Sequence, residues 1–122
     1  MLSGIRNSFD RRHYERLTKE IQLKGGTTEI LTVNTKKMET ICNENNISHI
    51  NYLSIDVEGA EFEVIKSINF EKVYIDVIGF EDNYKDVSVP IIEHLQKKNF
   101  EMFYRSQDIF MINKTSSFYN KK

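Results

Sequence analysis

Two dense apolar runs, residues 50–57 and 72–80, constrain this chain more than any other feature. The first carries Ile50, Tyr52, Leu53, Ile55 and Val57, and the second Val73, Tyr74, Ile75, Val77, Ile78 and Phe80. Neither shows the clean alternation of a strand with one face in water. Density of this kind marks strands buried on both faces, as in a parallel sheet. Parallel neighbours cannot be joined by a tight turn and need a crossover. Residues 59–68 supply a helical pattern of the right length for one.

Both runs end in acid. The first runs into Asp56-Val57-Glu58-Gly59-Ala60-Glu61, and the second into Glu81-Asp82. In open α/β sheets, ligands bind at the carboxyl ends of the strands. Two neighbouring strands that deliver carboxylates to one edge therefore outline a candidate site. Such acids can accept hydrogen bonds from a ligand, hold a hard cation through oxygen or act as a general base. Asp56 also has a structural reading, as the cap of the following helix. Glu58 and Glu61 have theirs, as favourable charges at a helix N-terminus. Glu61 and Glu63 read as surface residues, and Asp82-Asn83-Tyr84 as turn chemistry. Gly59 stands at the strand-to-helix corner, where close backbone approach or an unusual dihedral favours glycine.

The flanks extend the α/β pattern. Asp10 can cap a helix running to about Lys24, with Tyr14, Leu17 and Ile21 on one face and Gly25-Gly26 as its stop. Residues 29–33 read as a short strand. Residues 35–45 read as a helix that buries Met38, Ile41 and Cys42. Asp86 or Ser88 can cap a further helix, with Pro90 in its first turn and Ile91, Ile92 and Leu95 on its apolar face. Residues 100–104 and 109–112 have hairpin spacing around Arg105-Ser106-Gln107. The expected order is α-β-α-β-α-β-α-β-β, a mostly parallel sheet closed by an antiparallel hairpin. A single domain is expected over residues 1–113, followed by a flexible tail, 114–122.

Composition narrows the function classes. The net charge of −1 argues against a nucleic-acid binder driven by bulk charge. The charge is uneven: residues 56–93 carry −7 and residues 94–122 carry +4. The acidic middle reads as solvated helix faces or as a cleft for a cationic ligand. No apolar stretch reaches the roughly 18 residues of a membrane helix, and no secretory signal opens the chain. One cysteine excludes an internal disulfide, so a cytoplasmic setting is expected. His13, His49 and His94 show no metal-ligand spacing, and no metal is assigned. The five glycines form neither G-x-G nor a phosphate loop.

Residues 51–61, Asn-Tyr-Leu-Ser-Ile-Asp-Val-Glu-Gly-Ala-Glu, followed by Val64-Ile65-Lys66-Ser67-Ile68, resemble the FkbM-type S-adenosylmethionine-dependent methyltransferases. Leu31-Thr32-Val33, the 38–45 segment, Ile78-Gly79-Phe80-Glu81 and Asp108-Ile109-Phe110-Met111-Ile112 look like the same family. The resemblance spans about residues 27–113. It implies a Rossmann-like methyltransferase fold and methyl transfer from S-adenosylmethionine to a small-molecule hydroxyl, a sugar hydroxyl among the candidates. It places Asp56 beside the donor and acceptor, with Glu58 and Glu81 as the nearest further polar residues for catalysis. Family members carry a glycine-rich Asp-x-Gly-Ala-type loop before this region, and the chain has none. It therefore resembles the C-terminal part of such an enzyme, a partial fold expected to be weak or inactive alone. An N-terminal half or a second copy would then be its partner. The alternative is a non-catalytic α/β remnant or interaction module that pairs through an exposed sheet edge.

Overall fold

A computed structural model describes residues 11–121 of the chain. They fall into two compact units, 11–35 with Val57–Ala60, and Lys36–Asp56 with 61–121. In the first unit, helix α1 (Arg11–Lys24) forms where the apolar period predicts it. Gly25 at φ 71° takes the left-handed conformation that ends it. Asp10, the expected cap, lies outside the described residues. Pairs of Arg11 with Glu15 and Arg16 with Glu20 run along its exposed face. The predicted strand at 29–33 does not form. Ile30, Leu31 and Val33 are about 70% exposed, and none of them enters a strand pairing. Strand propensity largely measures packing on a half-buried sheet, and without a paired neighbour it has little to act on.

The second unit is a four-stranded sheet with helices. Helix α2 (Met38–Glu44) is shorter than the predicted 35–45 and buries Cys42. Asn46 then turns the chain at φ 55°. Strand β1 (His49–Ile55) pairs in parallel with β2 (Tyr74–Glu81), with Ile55 opposite Phe80. Between them lies α3 (Glu61–Lys66). Helix α4 (Lys85–Lys97) leads into β3 (Phe100–Arg105) and β4 (Asp108–Asn113). The strand order is β1-β2-β4-β3, and β4 is antiparallel to both of its neighbours.

The architecture is α/β with a mixed sheet, compatible with a methyltransferase-like fold. The expectation of a mostly parallel sheet is corrected, because only β1 and β2 are parallel neighbours in it. Burial explains the order. Strand β4 carries Ile109, Met111 and Ile112 into the core, whereas β3 is exposed over most of its length. The more apolar arm of the hairpin takes the interior place and leaves the less apolar arm, with Glu101 and Arg105, at the edge.

Ile78, Phe80, Ile109 and Met111 of the sheet are fully buried, as are Ile65 of α3 and Ile91 and Leu95 of α4. Helix α4 packs against α3 and β3. It starts earlier than predicted. The Tyr84 carbonyl accepts the N–H groups of Val87 and Ser88 at 2.9 and 3.0 Å. Asp86 and Ser88 are therefore helical residues rather than caps, and Pro90 sits inside the helix. The segment after Asn113 is tied to the sheet. Ser116 is buried and bonds Asp76, and the Tyr119 hydroxyl donates to Glu101 Oε2 at 2.6 Å.

Candidate active site

The parallel register of β1 and β2 brings their carboxyl ends to one edge. Asp56 is the first residue after β1 and is exposed; Glu81 closes β2 and is half-buried. Carboxylate oxygens of the two lie within 4.8 Å of one another. On its other side Glu81 faces Asp108 of β4 across the antiparallel ladder. A recess of about 100 Å³ opens here, lined by Tyr52, Ser54, Asp56, Gly79, Glu81 and Asp108 among others. Two oxygen donors this close can bind a cationic group or share the proton of a hydroxyl.

Glycine shapes the floor of the recess. A Cβ at position 79 would stand 2.5 Å from the Tyr52 hydroxyl oxygen and 3.1 Å from its ring. The Tyr52 ring thus crosses from β1 over β2 because residue 79 has no side chain. Beyond it lies Phe110 of β4, with ring planes 19° apart and centroids 6.2 Å apart. Sequence reasoning singled out neither Tyr52 nor Asp108. The available signal was a glycine in the middle of an apolar strand, which marks close approach of a neighbour.

A model of the methyltransferase FkbM domain matches residues 3–106. The chain belongs to the FkbM methyltransferase family. No curated protein and no solved structure gives a significant match. Within the FkbM match lie Asp56 and Glu81, and also Glu58. Glu58 belongs to the unit that contains Val57–Ala60. It is half-buried at φ 53°, followed by Gly59 at φ 105°. A left-handed conformation costs an ordinary residue about 1 kcal/mol, which the glycine beside it does not incur.

Other acids of this FkbM chain separate into structural roles. Asp56 is not a helix cap, because α3 begins five residues later, at Glu61. Glu61 is buried rather than on the surface, whereas Glu63 is exposed and pairs with Lys66 at 2.6 Å. Asp82 Oδ2 accepts from Arg105 Nε at 2.6 Å, and its backbone N–H donates to Gln107, so it holds the β3–β4 turn. Its Oδ1 is buried without a hydrogen-bond partner.

The most consequential residue that the apolar pattern hid is Asp76, buried in the first half of β2. Ser116 Oγ donates to its Oδ1; His49 Nε2, at 2.7 Å, and Asn51 Nδ2, at 3.1 Å, meet its Oδ2. Burial pushes the Asp76 carboxyl up, but the bonds from Ser116, His49 and Asn51 together outweigh it and hold the carboxyl below its ordinary value. His49 of β1 thus helps to hold the buried Asp76 carboxylate of β2. His94 packs edge-on against Phe62. Its imidazole is held below the usual range by burial, with Lys98, Lys97 and Lys66 adding repulsion. Among the described residues no helix is long and apolar enough to cross a membrane.

Proposed function

We propose that this FkbM-family chain acts in methyl transfer from S-adenosylmethionine to a hydroxyl oxygen of a small molecule. The observation that carries the reading is the pair Asp56 and Glu81, brought within 4.8 Å at the carboxyl edge of the parallel strands in a chain that matches the FkbM domain. The donor set fits the charge of such a cofactor. Asp56, Glu81 and Asp108 line the recess, and carboxylates stabilise a nearby cation. At about 100 Å³ the recess admits the reacting end of a ligand and not a whole nucleoside.

The cofactor supplies a methyl group on a positively charged sulfur. Asp56, the more exposed acid, balances that charge. Glu81, half-buried in the same recess, accepts the hydroxyl proton of the acceptor. Positioning the two reactants contributes most of the acceleration in a displacement of this type, and a general base adds about 10²–10⁴-fold. The test is formation of S-adenosylhomocysteine from S-adenosylmethionine with a panel of hydroxyl acceptors, together with calorimetric titration of the donor. Glu81→Gln should lower turnover by about 10²-fold or more while keeping donor affinity. Asp56→Asn should weaken donor binding. Absence of both binding and turnover in the unsubstituted chain would refute the proposal, as would turnover indifferent to both substitutions.

A further inference from the structure

The two edges of the sheet, β1 and β3, are built differently. At β3 the register against β4 slips between Met102 and Tyr104, a bulge flanked in sequence by Glu101 and Arg105. Bulges and charges are the devices by which edge strands resist pairing with another chain. Strand β1, His-Ile-Asn-Tyr-Leu-Ser-Ile, has neither. It keeps one register with β2 throughout and contains no lysine, arginine, aspartate, glutamate or proline. Among the described residues no strand pairs with its outer side. Its largest side chain does not screen that side, because the Tyr52 ring turns inward over Gly79. The composition of β1 is that of an interior strand, but its burial is not: β2 buries five of its eight residues and β1 only one of its seven.

We infer that the outer edge of β1 is an interface whose occupant is a second copy of this chain, the two β1 strands pairing antiparallel to join two four-stranded sheets into one. Charge selects this arrangement. The carboxyl end of β1 leads to Asp56, and that of β2 carries Glu81. Parallel pairing of two copies would bring these acidic ends together, whereas antiparallel pairing sends them to opposite ends of the joint. With the two-fold axis at Tyr52, every residue keeps its face of the sheet. Tyr52 then lies opposite its own copy, Asn51 opposite the second copy's Leu53 and His49 opposite the second copy's Ile55, so no like charges meet. A contact of one edge with the same edge closes at two copies, and the bulged, charged β3 edges stop the joined sheet from growing. The inference stands apart from the methyl-transfer reading, because it uses the backbone of β1 and none of the carboxylates.

The experiment is sedimentation of the full chain from micromolar to millimolar concentration, a range chosen because one strand pairing is a small contact. The mass should rise from 14.4 kDa toward twice that value. Over the same range, hydrogen exchange should slow at the amides of β1 and stay unchanged at those of β3. Tyr52→Lys sets like charges opposite each other and should weaken the dimer by up to about fivefold, and mixing it with Tyr52→Glu should restore association. Tyr52→Cys should cross-link on oxidation, since directly opposed residues stand about 4.5–5.5 Å apart, within the reach of a disulfide. Ser54→Cys should not, because it lies about 13 Å from its own copy. The parent, whose Cys42 is buried, should give no cross-link. A mass of 14.4 kDa at every concentration overturns the proposal and leaves the edge to a different protein. A dimer that protects β3 rather than β1, or that cross-links equally through Ser54→Cys, overturns it as well. Where Tyr52→Lys loses its native circular dichroism spectrum, hydrogen exchange on the parent decides alone.

Discussion

Replacing Asp76 by alanine should destabilise the fold far more than replacing any of the acids at the recess. The carboxylate is 2% exposed and takes hydrogen bonds from Ser116, His49 and Asn51. Asn51 is exposed and the His49 side chain is half-exposed, so water can replace their lost bonds at small cost. Ser116 is 5% exposed, and its hydroxyl would lose its carboxylate acceptor in the interior. A buried donor left unsatisfied costs about 1–3 kcal/mol, and each bond to a charged group about 1.5–3 kcal/mol. Removing a buried charge returns part of that. The net loss is about 3 kcal/mol, or roughly 10 °C in Tm for a chain of this size.

The pH dependence has a definite sign. A carboxyl held below its ordinary value of 3.8 contributes stability that is present above about pH 4 and lost as pH falls through the folded-state value. Asp76→Asn cannot titrate, so the stability gap between parent and Asp76→Asn should be widest near pH 7 and narrow below pH 4. Thermal melts by circular dichroism from pH 2.5 to 7 measure both effects. Asp76→Ala with Ser116→Ala should also cost less than the sum of the single changes, because they remove the same bond. A Tm for Asp76→Ala within about 3 °C of the parent, or a gap that stays constant into acid, would refute the reasoning.

Two further outcomes are expected. Because burial and the neighbouring lysines hold the His94 imidazole below its ordinary value of 6.5, the unfolded chain takes up that proton more readily. Stability should therefore fall as pH drops through about 6.5, and His94→Gln should flatten the slope of urea-melt stability between pH 7 and 5.5. Pro90 has no N–H for the Asp86 carbonyl one turn back in α4. Pro90→Ala should stabilise the chain by about 1–2 kcal/mol, part of the roughly 3 kcal/mol that proline costs inside a helix. A lower Tm would show that the packing of Ile91 and Leu95 depends on the proline.

Much of the second unit was legible because its signals are local. Dense apolar runs marked β1 and β2, helical period marked α4, and hairpin spacing marked β3 and β4. The strand ends named Asp56 and Glu81, and parallel pairing brought them together. What escaped notice depended on partners distant in sequence. Asp76 reads as an interruption of an apolar strand until residues 27 positions before it and 40 after it are seen to meet it. Tyr52 reads as one more core aromatic until Gly79 is seen beneath it.

By itself, then, the sequence determined the family, the α/β class and the acidic strand ends, because each is written in contiguous residues. Only the tertiary structure decided that residues 29–33 stay unpaired, since a strand needs a neighbour to complete its hydrogen bonds. It alone decided that β4 lies inside β3, since the more apolar arm gains more from burial. It also decided that the acids lie beside the Tyr52 ring, since that ring reaches from β1 over β2 only where Gly79 leaves room for it.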